Sequence, residues 1–186
     1  MITIERLAEL ARLSPPPEME QNKNLHNYDA ESPFYAFLYL LAREMKPTRI
    51  LEIGTDKGDG ACHFAAGWPP AEVVTVGQPD SEVLRAHIAP FSNIRYLDRN
   101  HNDMSLPPEL AAGGAFDIVL IDGEHSESQA TGDWLNYGQL CRSGGVVLFD
   151  DILIPTGIYN VWASMAAEKI ELNHLHKTGF GALIRG

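Results

Sequence analysis

Two apolar runs in this chain end in clusters of acids. In FDIVLIDGEHS the run Ile118 to Ile121 stops at Asp122, with Glu124 and His125 just beyond; in GGVVLFDDI the run Val146 to Phe149 stops at Asp150 and Asp151. Runs this short and apolar read as parallel strands covered on both faces, and neighbouring parallel strands end on one edge of their sheet. Asp122, Asp150 and Asp151 are therefore expected to converge. Three oxygen donors there would suit Mg²⁺, which prefers carboxylates and keeps several waters. Such an ion would orient a hydroxyl and make its deprotonated form accessible. The plainer alternative has Asp150 and Asp151 capping a loop or sitting in solvent. His125 is the best-placed general base, since an imidazole titrates near working pH; Glu124 and Asp151 compete for that role. His174 and His176 alternate by two, which predicts one face of a strand, and no neighbouring cysteine or carboxylate pattern marks them as ligands.

A turn able to hold a ligand beside those acids is written at RILEIGTDKGDG. Ile50, Leu51 and Ile53 supply a buried strand, Glu52 ends it with a carboxylate, and Gly54, Gly58 and Gly60 keep side chains away from whatever lies against the turn. This predicts a nucleotide-like molecule at the carboxyl end of the first strand. The spacing is neither GxGxxG nor a P-loop GxxxxGK, the two patterns that place phosphates on a helix N-terminus. A nicotinamide oxidoreductase is accordingly a distant reading.

The pattern that does stand here, ExGxxxGxG, resembles the first motif of the class I S-adenosylmethionine-dependent methyltransferases. IDGEHS and GGVVLFDDI together resemble the methyltransferase-24-like small-molecule O-methyltransferases, and the likeness extends from about Phe34 to the C-terminus. The resemblance implies direct, inverting methyl transfer to a hydroxyl of a small molecule. Glu52, Gly54, Thr55 and Gly58 would hold the methionine end of S-adenosylmethionine and Asp122 would line its site. Asp122, Asp150 and Asp151 match the metal-binding aspartates of the metal-dependent relatives, and His125 with Asp122 would carry catalysis. In RNHND, Asp103 or Asn102 would contact adenine. One position departs from the family: the second strand should end in an acid that binds both ribose hydroxyls, and VVTVGQPD has Gly77 there. Asp80, or a backbone contact from Gly77 or Gln78, would have to substitute, although Asp80 or Ser81 reads better as a helix N-cap. Two alternatives follow: a protein that keeps the fold as a binding or interaction module without methyl transfer, and a related hydroxylase-type enzyme.

At 186 residues the chain is expected to form one main domain, 31–186, preceded by an N-terminal helix and lead-in over 1–30. A formal charge of −11 argues against nucleic acid as partner. No apolar run approaches the ~20 residues of a membrane span, and MITIERLAELARL carries charges throughout rather than a signal-peptide pattern, so a cytoplasmic location is expected. Cys62 and Cys141 lack metal spacing and read as reduced core thiols. Ser32 is the expected N-cap, with Pro33 first, of a helix whose apolar run is Phe34 to Leu41 and which ends near Pro47. Further strands are expected at Val73 to Val76 and Ile94 to Leu97. Helices are expected over Ser126 to Cys141, capped at Ser143 to Gly145, and over Ile158 to Ile170. A terminal hairpin of Leu172 to Lys177 and Phe180 to Ile184 would turn at Thr178 and Gly179. The alternation specifies an α/β, Rossmann-like, doubly wound sheet, mostly parallel, of about seven strands with the last antiparallel and helices on both faces. Leu7, Leu10, Ala11 and Leu13 would pack on their own domain or against a second copy in a homodimer.

Overall fold

The computed structural model describes residues 2–25, 33–78, 80–99, 105–155 and 157–186. Seven strands form one sheet: β1 Arg49–Ile53, β2 Glu72–Gly77, β3 Ile94–Asp98, β4 Phe116–Ile121, β5 Cys141–Asp150, β6 Lys169–Glu171 and β7 Phe180–Ile184, in the order β3-β2-β1-β4-β5-β7-β6. β1 to β5 pair in parallel, and β7 runs antiparallel to both neighbours. From β1 the chain winds outward through β2 and β3, then returns to β4 on the other side. The strand order thus reverses between β1 and β4, and the crevice outside their carboxyl ends is where open α/β sheets take their ligands.

Alternation along the strands fixes the two layers. Ile50, Val73, Ile118, Leu120, Val146 and Leu148 pack with α1 Ile4–Leu10, α3 Phe34–Met45 and α4 Asp59–Gly67. Leu51, Val74, Val119, Val147 and Phe149 face the other way, toward α7 Glu127–Asn136 and α8 Gly157–Ser164. Both faces are covered, which is why the strands read as continuous apolar runs. Leu7, Leu10 and Ala11 belong to the first of these cores, while Leu13 is exposed. α3 ends at Lys46 in a left-handed cap; Ser32 lies outside the described residues. Among the described residues no helix is long and apolar enough to cross a membrane.

Four expectations are corrected. α7 stops at Asn136, a single 3-10 turn Gly138–Leu140 follows, and Arg142 to Gly145 belong to β5. The register of β4 on β5 shifts between Phe116 and Ile118, so the Gly144–Gly145 pair forms a strand irregularity and not a helix cap. α8 stops at Ser164, where the Lys169 ammonium takes the Trp162 carbonyl at 2.6 Å, and the following residues turn into β6. The terminal pairing is therefore β6 with β7, and residues 172–179 form the connection between them. His174 and His176 do not share a strand face. His174 Nε2 lies 3.0 Å from the Ala11 carbonyl, whereas His176 Nδ1 lies 2.7 Å from Asp150 Oδ1 at the carboxyl end of β5.

Candidate cofactor and metal site

A cavity of about 470 Å³ opens at the switch point between β1 and β4, within the ordinary range for a small-molecule site. Gly54 makes it possible. Its φ of 102° turns the chain out of β1, its N–H donates to the Val76 carbonyl at 2.9 Å, and the Asp122 N–H donates to the Ile53 carbonyl at 2.8 Å. A Cβ on Gly54 would overlap the Asp122 carbonyl oxygen. The ends of β1, β2 and β4 are thereby sewn together at one backbone crossing, and Asp122 stands in the cavity wall.

Asp122, Asp150 and Asp151 come together as their strand ends predict, and all line this cavity. Asp151 has a left-handed φ of 61°, a conformation that aspartate tolerates better than most residues. It ends β5 abruptly, and its Oδ2 meets His125 Nε2 at 2.7 Å. Burial pushes the Asp122 carboxyl well above its usual range, reinforced by Asp150 and Asp151. Asp150 is also raised, chiefly by burial and against the opposing effect of His176. Like charges held this close favour protons or a cation between them. The donor atoms of Asp122, His125 and Asp151 lie within 4.8 Å of one another, as do those of Asp150, Asp151 and His176. Crowded carboxylates with their charge disfavoured are a fitting seat for a divalent ion.

The glycine turn divides its residues between cavity wall and scaffold. Glu52 is 2% exposed and accepts from the Thr75 hydroxyl at 2.6 Å; Thr75 in turn lies 2.7 Å from the Thr55 hydroxyl. A side chain on Gly60 would collide with the Glu52 carboxylate, so that glycine makes room for the acid. Glu52, Gly54, Thr55 and Asp122 also wall a smaller cavity of about 70 Å³ at the same turn. Gly58 caps α4 in a left-handed conformation, packed under Leu84 and Ile88.

At the end of β2, Gly77 and Gln78 line the larger cavity, with Arg99 beside them. The Gly77 carbonyl already accepts from the Tyr96 hydroxyl at 2.8 Å and the Arg99 N–H at 3.2 Å. Asp80 is ion-paired with Arg85, and Ser81 is the N-cap of α5 Glu82–Ile88, accepting from Leu84 N–H at 3.1 Å. Asn102 and Asp103 lie outside the described residues. Sequence reasoning missed Tyr35, Asp56, Asp133 and His176 in the cavity wall. Asp133 is a buried acid whose carboxyl burial pushes up to about 6. Asp56 lies within the ExGxxxGxG turn at a position the pattern leaves open, whereas Tyr35, Asp133 and His176 stand in no motif and only the folded chain brings them there.

The strand order 3-2-1-4-5-7-6, the glycine turn after β1 and the acidic cavity at the switch point together form a Rossmann-like ligand-binding edge. Residues 51–152 match a methyltransferase-domain family, and the chain belongs to it. It is 31% identical over 128 residues to the catechol O-methyltransferase of Mycobacterium tuberculosis, an alignment covering 66% of this chain and 56% of that protein. The chain thus spans little more than half the length of this curated relative. Among solved structures, it resembles a Staphylococcus aureus protein assigned as a caffeoyl-CoA O-methyltransferase, with TM-score 0.68, 20% identity, and coverage of 100% of this chain and 93% of that one. The O-methyltransferase TomG of Streptomyces achromogenes, solved in complex with S-adenosylmethionine, matches with TM-score 0.65 and 22% identity over 100% of this chain and 92% of its own.

Proposed function

We propose that the chain is an S-adenosylmethionine-dependent O-methyltransferase acting on a small-molecule hydroxyl, assisted by a divalent cation held by Asp122, Asp150 and Asp151. The observation that carries this reading is the convergence of those acids and His125 at the Gly54 turn, in one cavity. The cofactor would supply an electrophilic methyl group. A divalent ion, when bound, would favour the deprotonated acceptor hydroxyl. Glu52, Gly54 and Thr55 would position the methionine end through the smaller cavity, and Gln78 at the end of β2 would face the ribose. His125 would accept the hydroxyl proton, with the Asp151 carboxylate 2.7 Å away to stabilise the imidazolium. Catalysis would be mainly alignment, since holding two reactants in attack geometry supplies ~7 to 11 kcal/mol. The catechol-specific name of the curated relative makes a vicinal diol on an aromatic ring the first acceptor to try.

The test is calorimetric titration of metal-stripped protein with S-adenosylhomocysteine, with and without Mg²⁺, followed by methyl transfer to catechol. Binding is expected, as is transfer that falls about 10²- to 10⁴-fold in His125→Gln without loss of cofactor affinity. No binding at millimolar ligand would replace this reading with that of a fold-retaining protein that has lost methyl transfer.

A further inference from the structure

His176 reaches the acidic cluster from an independent part of the fold. Asp122 follows β4 and Asp150 and Asp151 end β5, whereas His176 lies in the connection between β6 and β7. Its Nδ1 is 2.7 Å from Asp150 Oδ1 and 3.8 Å from Asp151 Oδ1. The ring is held: Phe34 stacks on it at 5.7 Å and 24°, and the Thr178 hydroxyl lies 3.0 Å from Nδ1. A surface histidine would have neither an aromatic platform nor two carboxylates converging on one nitrogen. The three donor atoms of Asp150, Asp151 and His176 lie within 4.8 Å of one another, close enough to share one ion. Because β7 lies beside β5 in the sheet, the connection that precedes β7 is carried to the same edge as the two acids.

We propose that His176 is a direct ligand of the metal at this site, and that the site therefore takes a first-row transition-metal ion such as Mn²⁺, Fe²⁺ or Co²⁺ in preference to Mg²⁺. The inference rests on the metal-assisted reading above. Mg²⁺ demands oxygen donors and gives up its waters reluctantly. Imidazole suits the first-row transition ions, and a mixed set of one nitrogen with carboxylate oxygens discriminates by donor type. Without metal, Nδ1 and Asp150 share a hydrogen bond; on ligation the proton between them would leave to solvent and the ion would take its place between the nitrogen and the acids. The alternative is that His176 keeps its proton and only orients Asp150 from outside the coordination sphere.

The full chain, stripped of metal and loaded with Mn²⁺, would be studied by pulsed electron paramagnetic resonance, with and without ¹⁵N-histidine labelling. A directly coordinated nitrogen is expected to give a hyperfine coupling that changes on labelling, persists in His125→Gln and disappears in His176→Gln. By calorimetry, His176→Gln is expected to weaken Mn²⁺ and Co²⁺ binding about tenfold or more while leaving Mg²⁺ little changed. No histidine coupling in the wild-type protein, which needs no variant to fold, would overturn the proposal, as would a coupling retained in His176→Gln. Equal weakening of Mn²⁺ and Mg²⁺ would also overturn it, in favour of the orienting role. If neither Mn²⁺ nor Mg²⁺ binds, the metal-assisted reading fails with it, whereas Mn²⁺ bound without histidine coupling leaves that reading standing.

Discussion

A Cβ on Gly77 would lie 2.5 Å from the Thr55 amide nitrogen and 2.9 Å from its hydroxyl. Thr55 is itself tied through Thr75 to Glu52, so the space beside Gly77 is filled by a buried chain of hydrogen bonds. The missing acid of the second strand is thus more than an absent side chain: the packing around Gly77 has closed over its place. Restoring an acid by Gly77→Asp is accordingly expected to lower stability by about 1 to 3 kcal/mol, the usual effect of overpacking, and not to tighten S-adenosylhomocysteine. Urea unfolding and calorimetry of the same preparation check both halves. A tighter complex at unchanged stability would mean that Thr55 yields and that the ribose position had simply lost its acid. His176 teaches a related lesson at the same scale. Nothing within several residues of it in sequence is a carboxylate pattern, and its partners arrive from β5.

Gly54 lets three elements meet, and its removal should be felt in all of them. With Ala at this position the new Cβ meets the Asp122 carbonyl at the β1–β4 crossing, and φ stays in a region that L side chains rarely adopt. Gly54→Ala is expected to cost at least about 2 kcal/mol from strain and overlap together. Amide exchange should quicken first at Asp122, whose N–H bonds to Ile53 at that crossing. The strand ends were legible in the sequence because a doubly covered parallel strand is an unbroken apolar run with a polar stop. That pattern located β1, β4 and β5, and with them Asp122, Asp150 and Asp151. It was less informative where one local signal serves two structures. Gly144–Gly145 reads in the sequence as a helix cap, but a glycine pair can equally form a strand bulge, and pairing across β4 and β5 makes it one. The end of α8 depends on Lys169, which returns to the helix carbonyls only because β6 folds back. Tyr35, Asp133 and His176 join the site through packing of α3, α7 and the β6–β7 connection, contacts that no spacing along the chain records.

Across the whole molecule, the acids and imidazoles buried around the β1 turn make stability depend on pH in a way that separates their contributions. Burial pushes the Glu52 carboxyl up to about 8, against the opposing hydrogen bond from Thr75 and with a smaller upward push from Asp59. An unfolded chain releases that proton near pH 4.5. The folded state therefore holds a proton that the unfolded state lacks between these values, and stability falls as pH rises through this window. His63 acts in the opposite direction. Burial pushes it down to about 4, so below its ordinary 6.5 the unfolded chain binds a proton that the folded one refuses, and stability falls as pH drops from 6.5 toward 4. Above pH 6.5 the His63 contribution levels off within about one pH unit and the Glu52 slope remains. At 1.36 kcal/mol per pH unit, the wild-type protein should lose about 2 kcal/mol from this group between pH 6.5 and 8. His176, Asp150 and Asp122 are raised as well and weaken the fold in the same direction. They are present in Glu52→Gln too and largely cancel in the difference between the two proteins, apart from the smaller push that a charged Glu52 gives Asp122. The amide cannot serve both the Thr75 hydroxyl and the Ala61 N–H as the acid does, and a constant offset in stability is expected. The slope is the readout: urea unfolding at pH 6.5, 7.2 and 8 should show Glu52→Gln losing less stability with pH than wild type. Parallel slopes would mean that Glu52 is already ionised in the folded protein, with its charge held by the Thr75 and Ala61 hydrogen bonds alone.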